Sequence, residues 1–275
     1  MIYAIMISNQ CNFHCGHCMV NSTRRFNLVS NEVTDCFIKI VSKNHADSVY
    51  IIGGEPTLHA DYVEKLISRI RPFCQDIVIF TNGSFLLDDK LSNLIRNWNV
   101  RIRISNDRFH RKFWTSKLEQ RIKESGYHVE ERTDDYEMIP VGRAYQEFKD
   151  LQYNMGCSLL SGFYDERYPN HHRCMIMQDG SVNLYCAAIG ASLANVFEDQ
   201  DFSYESLKKR EMILHNYLVR EVFTTYSDTF MGKLCNACPH YQVTETEILY
   251  DGIHMAWTKD YADGYEDLYE KFKDE

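Results

Sequence analysis

The chain of 275 residues lacks an apolar stretch long enough to cross a membrane, and it has no signal peptide. It also lacks a surplus of positive charge, because its formal net charge is −9. Non-specific binding to nucleic acid or to an anionic membrane is therefore not favoured. There are no low-complexity stretches, long linkers or internal repeats. These absences predict a cytoplasmic globular protein with one large domain, or one domain and a smaller second one.

Cysteine is abundant, with ten residues in the chain. Without a signal peptide, they indicate metal binding or catalysis rather than disulfides. Cys11, Cys15 and Cys18 follow an apolar, strand-like segment with the spacing Cys-x3-Cys-x2-Cys. Three thiolates on one short loop can bind three corners of a four-iron cluster and leave the fourth iron open to a small molecule. A structural zinc site with His14 or His17 as a further ligand is the alternative.

A second motif follows the second strand-like run, Ser48–Ile52, which ends in Gly53-Gly54-Glu55-Pro56. In this order and at this distance from the cysteines, the two motifs resemble those of the radical S-adenosylmethionine (radical SAM) superfamily. The resemblance implies a [4Fe–4S] cluster on the three cysteines, with SAM chelating the open iron. It also implies that the four residues 53–56 lie at the SAM amino group, where Glu55 contacts it and two glycines let the main chain come close.

The first half of the chain alternates between strand and helix patterns. We predict strands over 3–8, 48–52, 77–80, 100–105 and 128–132, with helices between them and one helical stretch over 110–125. Regular alternation implies parallel strands with right-handed crossovers. Together with the resemblance, this predicts an α/β fold, a partial (β/α)6 TIM-like barrel over residues 1–156, with functional groups at the carboxyl ends of its strands.

Further polar residues follow the third and fourth predicted strands. The first group is Thr81-Asn82-Gly83 and the second is Ser105-Asn106-Asp107. The resemblance implies that Asn82 lies beside SAM and that Ser105 or Asp107 contacts its ribose. Ser, Asn and Asp are also typical of turns and helix caps, which is the alternative.

Other candidates for SAM and substrate contacts depend on the resemblance. His17 stands where the family usually has an aromatic residue, near the adenine. Gly142 and Arg143 resemble a segment near SAM, although a surface turn explains them almost as well. The polar residues considered for substrate binding are Arg101, Arg103, Asp107, His110, Arg143, His171 and His172.

A second cysteine group lies in the last third of the chain. Cys174 and Cys186 flank an Asp-Gly pair between two strand-like runs, which predicts a hairpin. A Cys-x2-Cys pair, Cys235 and Cys238, follows. This order resembles the twitch domain, a shortened SPASM domain, and implies a small α+β unit over 157–275. Tyr265, Leu268, Tyr269 and Phe272 recur at helical spacing, which predicts a C-terminal helix. The four cysteines would then bind an auxiliary [4Fe–4S] cluster; a structural zinc, free cysteines, or Cys157 replacing one ligand are the alternatives.

The resemblance implies reductive cleavage of SAM to a 5′-deoxyadenosyl radical, which removes hydrogen from a substrate C–H bond. A flavodoxin- or ferredoxin-type protein would supply the electron. An auxiliary cluster favours net oxidation, so we expect dehydrogenation of a small polar metabolite. The first predicted strand lies almost at the start of the chain, so the leader-binding domain of many peptide maturases is expected to be absent, which favours a small molecule. The alternatives are a peptide maturase that forms a thioether or carbon–carbon crosslink, a nucleoside-modifying enzyme, and a non-catalytic zinc or iron–sulfur scaffold.

Overall fold

The structure, a computed structural model, describes residues 1–18, 20, 22–131, 173–184, 194–198, 201–203 and 205–207. Its strands are β1 (Ile2–Met6), β2 (Ser48–Ile52), β3 (Ile77–Thr81), β4 (Arg101–Asn106), β5 (His128–Glu131), β6 (Arg173–Ile176), β7 (Ser181–Leu184) and β8 (Ala194–Asn195). They form one sheet in the order β5-β4-β3-β2-β1-β6-β7-β8. Strands β1 to β6 pair in parallel, and β7 and β8 are antiparallel additions. The predicted α/β class and the first five strands are confirmed.

The helices of the described residues are α1 (Asn31–Asn44), α2 (Ala60–Ile70), α3 (Asp89–Asn97), α4 (Arg108–Arg111) and α5 (Ser116–Ser125), with 3₁₀ turns at Pro56–His59 and Ser84–Leu87. The stretch predicted as one helix over 110–125 is two helices. The Thr115 hydroxyl accepts a hydrogen bond from Leu118 N at 3.2 Å and so starts α5 as a separate helix. None of the helices in the described residues has the length and apolarity that a membrane crossing requires.

The sheet is buried on both faces at its centre. All five residues of β1 are buried, as expected for a parallel strand with neighbours on both sides and side chains packed above and below. One face, with Tyr3 and Ile5, packs against the helices. The opposite inner face carries a smaller apolar group with Ala4, Met6 and Tyr50.

The hairpin predicted around Asp179-Gly180 is present as β6 and β7. Gly180 has φ +86°, a conformation that favours glycine in a tight turn. Cys174 of β6 pairs in register with Leu184 on one side and with Tyr3 of β1 on the other. The hairpin therefore extends the main sheet beyond β1. The domain boundary at 157 stays a prediction, and the predicted C-terminal helix near 265–272 lies outside the described residues.

Candidate metal centre

The three cysteines of the first motif lie in the loop that follows β1, at the carboxyl end of the sheet. Cys11 and Cys15 are buried and Cys18 is half-buried, and all three are reduced thiols outside any disulfide. The loop is anchored at its start, because Cys11 N donates a hydrogen bond to Thr23 O at 2.7 Å. The loop follows an inner strand of the sheet rather than an edge strand. Its position agrees with the rule that parallel α/β folds bind their ligands at the carboxyl ends of the strands.

The Cys11 sulfur already accepts two hydrogen bonds. Phe13 N donates at 3.4 Å and Asn82 Nδ2 at 3.7 Å. Burial, with the nearby Glu55 carboxyl adding to it, raises the pKa of Cys11 to about 12. Cys11 is therefore a neutral thiol at neutral pH, and a metal that bound it would have to replace its proton.

The spacing of the three sulfurs bears on whether they share a single ion or bind a cluster. Three thiolates on one zinc ion, with Zn–S bonds of about 2.3 Å, would stand about 3.8 Å apart. In the described part of the chain, Cys11, Cys15 and Cys18 do not form such a compact group, since their sulfurs do not all lie within 4.8 Å of one another. A four-iron cube is larger than one ion, so its corner ligands stand further apart. A donor set of three thiolates on one loop fits such a cluster.

The two glycines of the second motif let β2 approach the chain after β1. A Cβ on Gly53 would lie 2.5 Å from Ser8 O, and one on Gly54 would lie 2.2 Å from Gln10 O. The backbone hydrogen bonds across this contact are short, and Gly54 N donates to Ser8 O at 2.7 Å. The sequence suggested glycine for close approach to a ligand. The structure shows that the chain's own strand end already requires it.

Glu55 is fully buried between the ends of β2 and β3. Its Oε1 accepts hydrogen bonds from Thr57 N (3.1 Å), Thr57 Oγ1 (2.6 Å) and Thr81 Oγ1 (2.7 Å), and its Oε2 accepts one from Asn82 N (2.7 Å). Burial raises the pKa of Glu55, although these four donors act in the opposite direction. The carboxyl group thus joins two strand ends. Its contact with a SAM amino group stays a prediction.

Asn82 connects the Glu55 carboxyl group to the cysteine loop. Its side-chain Nδ2 donates to Asn12 Oδ1 at 2.8 Å as well as to the Cys11 sulfur, and its Oδ1 accepts from Ser84 N at 2.9 Å. Asn12 Nδ2 in turn donates to Ser84 Oγ at 2.8 Å. The end of β3 therefore positions the first cysteine through a single buried amide.

His17, Asp107 and His110 form a second network beside the cysteines. Asp107 Oδ1 accepts from Phe109 N (2.9 Å) and His110 N (3.0 Å), while Oδ2 lies 2.7 Å from His110 Nδ1 and 3.3 Å from His17 Nε2. Burial alone would raise the pKa of Asp107, but hydrogen bonds from both histidines keep it well below its usual range. The helix-cap alternative for Asp107 is confirmed, and its ribose contact stays a prediction.

Charged and polar residues line the inner face of the sheet at β4 and β5. Arg103 Nη2 lies 2.9 Å from Glu130 Oε1, and its guanidinium lies 4.8 Å from the centre of the Phe80 ring. Ser105 is half-buried two residues after Arg103 and so lies on the same face.

Several predicted site residues lie outside the described residues: Gly142, Arg143, Cys157, His171, His172, Cys186, Cys235 and Cys238. Cys174 is described, and it is completely buried in the core between the sheet and the helices. This burial strongly raises the pKa of its thiol. The auxiliary cluster on Cys174 and its three partners stays a prediction.

Residues 5–138 match the sequence profile of the Radical SAM superfamily. The match contains both motifs, the cysteine loop after β1 and the glycine pair after β2. This part of the chain is a radical SAM domain.

The curated relatives include a probable GTP 3′,8-cyclase of Thermococcus kodakarensis, 35% identical over 86 residues, which are 30% of this chain and 27% of the relative. The GTP 3′,8-cyclase of Campylobacter lari is 32% identical over 108 residues, 38% and 33% of the two chains. The matched parts thus span about a third or less of these relatives. Among solved structures, BtrN in complex with AdoMet and 2-DOIA aligns with TM-score 0.50 at 12% identity, over 78% of this chain and 85% of BtrN, which shows a shared fold.

Sequence reasoning missed the connections between the motifs. It did not identify Thr57 and Thr81 as partners of Glu55, nor Asn12 as a partner of Asn82. The sequence does contain a signal for these contacts, because short polar residues follow each predicted strand, and parallel strands bring such residues together at one end of the sheet. Which of them touch depends on the register of β2 and β3 and was not readable from spacing.

Proposed function

We propose that this protein is a radical SAM enzyme that uses a [4Fe–4S] cluster on Cys11, Cys15 and Cys18 to cleave SAM reductively. The observation that carries the proposal is the position of the three thiols. They lie on one loop at the carboxyl end of the central strand, and their sulfurs do not all lie within 4.8 Å of one another. When bound, the reduced cluster and SAM supply a 5′-deoxyadenosyl radical that takes hydrogen from a substrate C–H bond.

The described residues have clear tasks around such a cofactor. Asn82 donates a hydrogen bond to the Cys11 sulfur, and the Glu55 carboxyl fixes the backbone of Asn82. Hydrogen bonds to cluster sulfurs tune the cluster's reduction potential. Burial of Cys11 and Cys15 keeps water from two of the three ligands, which protects a reactive radical from side reactions.

Anaerobic reconstitution with iron and sulfide tests the proposal directly. Addition of SAM and a strong reductant should yield 5′-deoxyadenosine. Cys18→Ser should lose about four irons per chain and all SAM cleavage. Cys36→Ser is the matched control, because Cys36 is a half-buried free thiol on α1, away from the loop. A colourless, zinc-loaded protein that does not cleave SAM would contradict the proposal.

For the substrate we propose a small polar metabolite that undergoes net oxidation. The Arg103–Glu130 pair on the inner face supports a polar substrate. The BtrN structure, whose fold is shared, is a complex with AdoMet and 2-DOIA. An auxiliary cluster on Cys174, Cys186, Cys235 and Cys238 would take the electron from the substrate radical.

Iron stoichiometry tests the auxiliary cluster. We expect about eight irons per chain, falling to about four when Cys235 and Cys238 are both replaced by Ser, with SAM cleavage retained. A measured content of about four irons in the unmodified chain would contradict the auxiliary cluster. The proposed net oxidation would then lose its support.

A nucleotide substrate is the second candidate, because the curated relatives include a GTP 3′,8-cyclase and a probable GTP 3′,8-cyclase. The test is to incubate the reconstituted enzyme with SAM, reductant and GTP and to follow GTP by chromatography. GTP consumption coupled to 5′-deoxyadenosine formation would favour this candidate. Uncoupled SAM cleavage with unchanged GTP would oppose it.

A further inference from the structure

One compact group of metal-ligand side chains lies beside the cysteine loop. The group consists of Cys15, His17 and His110, each of which offers one ligand atom, and these three atoms lie within 4.8 Å of one another. No other three Cys, His, Asp or Glu residues in the described part of the chain lie this close. Ligands of a tetrahedral zinc ion with these donors stand about 3.3–3.6 Å apart. Side-chain shifts of roughly 1 Å would bring the trio to this spacing. Two of its members come from the loop after β1, and His110 comes from α4.

The two imidazoles are oriented by one shared carboxylate. Asp107 Oδ2 lies 2.7 Å from His110 Nδ1 and 3.3 Å from His17 Nε2. These contacts leave Nε2 of His110 and Nδ1 of His17 as the nitrogens available to an ion. A ligating histidine almost always donates its other nitrogen to a carboxylate or carbonyl, which fixes its tautomer and ring orientation.

The unused nitrogen of His17 is the second indication of a ligand. His17 Nδ1 is buried and has no hydrogen-bond partner in the described part of the chain, which is costly for a polar atom. The ring itself is fixed, because it stacks on Phe109 with centroids 4.6 Å apart and meets His110 at 83°. A metal ion bound at Nδ1 would satisfy this nitrogen.

We propose that the cluster-free protein binds one divalent ion of the zinc type through Cys15, His17 and His110, with Asp107 as the positioning residue for both histidines. One thiolate and two imidazoles are a donor set that suits Zn²⁺ and Co²⁺. Cys15 is also one of the three cysteines of the proposed cluster. The single ion and the cluster therefore exclude each other, a consequence that rests on the proposed function.

Cobalt titration of the full-length, cluster-free, reduced chain under anaerobic conditions tests the site. Co²⁺ reports its ligands, because a thiolate gives a charge-transfer band and a tetrahedral site gives intense visible bands. We expect one equivalent to bind. His17→Ala and His110→Ala should each weaken binding at least ten-fold, and Asp107→Asn about ten-fold.

Two control variants separate this site from its rivals. His14→Ala should bind cobalt as the unmodified chain does, because His14 is exposed on the same loop and outside the trio. Cys11→Ser should also leave binding unchanged. If Cys11→Ser abolishes the bands while both histidine variants retain full affinity, the ion belongs to the three cysteines and the proposal is overturned. Should His110→Ala fail to fold, His110→Gln keeps the side-chain length and serves in its place.

Metal competition tests the mutual exclusion. Protein loaded with one equivalent of Zn²⁺ should take up less iron on reconstitution than zinc-free protein, and His110→Gln should restore that uptake. Equal iron uptake with and without zinc would overturn the shared use of Cys15. Failure of the proposed function would look different, since zinc-free protein would then take up no iron either.

Discussion

At the scale of single residues, the candidate site depends on short side chains at strand ends and on backbone contacts that leave no room for a side chain. Gly54 shows the second case. The backbone of β2 passes so close to Gln10 that a Cβ would lie 2.2 Å from its carbonyl oxygen. The cysteine loop is thus fixed by the same contact that the glycine motif permits.

We expect Gly54→Ala to destabilise the protein by about 3 kcal/mol, because the neighbour it would strike is backbone and cannot rotate away. Thermal or urea unfolding of the cluster-free chain measures this. Gly126→Ala is the matched control, since a Cβ there meets nothing within 4 Å and only its φ of +73° is unfavourable. Its cost should be about 1 kcal/mol. Equal losses in the two variants would contradict the steric explanation.

Asn82 shows the first case, a short side chain that connects two motifs. Replacement by Ala removes the donor to the Cys11 sulfur but keeps the backbone N–H that donates a hydrogen bond to Glu55. We expect a lower midpoint potential of the reconstituted cluster, because an N–H···S bond stabilises the more negative, reduced form. A redox titration followed by electron paramagnetic resonance measures it.

The matched control for Asn82 is Asn106→Ala. Asn106 is equally buried, at 5% exposure against 4% for Asn82, and ends the neighbouring strand. Its Oδ1 accepts from Arg111 Nε at 2.6 Å. Equal potential shifts in both variants would show that loss of any buried amide, rather than the bond to Cys11, changes the cluster.

At the scale of elements, the two ends of the sheet have different tasks. The carboxyl ends of β1 to β4 carry the candidate site, whereas the opposite ends are joined by Asp76. Its carboxylate accepts hydrogen bonds from Ser48 at the start of β2 and from Arg101 Nε at the start of β4, the latter at 2.6 Å. Three neighbouring parallel strands are therefore aligned by one side chain far from the cysteines.

Asp76→Asn should cost about 1 kcal/mol at pH 7, because one oxygen acceptor becomes a donor that faces Ser48 or Arg101. Burial would raise the pKa of Asp76, but hydrogen bonds from Arg101 and Ser48 outweigh it and lower that pKa in the fold. The ionised group therefore stabilises the fold above the unfolded pKa of about 3.9, and this contribution is lost as pH falls below that value.

Urea unfolding at several pH values measures the effect of Asp76. The free energy of unfolding is compared between the unmodified chain and Asp76→Asn at intervals of about one pH unit. The difference between the two should shrink as the pH falls from 5 towards 3. Asp35→Asn is the control, because Asp35 pairs with Arg69 on the surface, where both side chains are about half exposed. Its effect should stay below about 0.5 kcal/mol. A constant difference across the pH range would contradict the ionised role of Asp76.

At the scale of the whole molecule, β1 connects the two parts of the described structure. It pairs with β2 on one side and with the β6–β7 hairpin on the other, although β6 lies about 170 residues later in the chain. Tyr3 of β1 also donates its hydroxyl to Phe202 O at 2.9 Å. The strand before the cysteine loop is therefore the strand on which the later part of the chain assembles.

Tyr3→Phe should lower the free energy of unfolding by about 1 kcal/mol, because the buried Phe202 carbonyl loses its donor. Tyr127→Phe is the matched control, since the Tyr127 hydroxyl is buried without a partner in the described residues. It should be neutral or slightly stabilising. Equal losses in both variants would show that the hydroxyl of Tyr3 contributes nothing specific.

The sequence by itself determined the strand–helix alternation, the parallel class and the spacing of the three cysteines in the loop after β1. Apolar periodicity reports burial locally, and the cysteine spacing is local too. Only the tertiary structure decided that Glu55 joins β2 to β3, that Asp107 lies between His17 and His110, and that the hairpin with Cys174 pairs with β1. The contacts Glu55–Asn82, His17–Asp107 and Tyr3–Cys174 join residues 27, 90 and 171 positions apart. Strand register and sheet order create such contacts, and neither is encoded in any short segment.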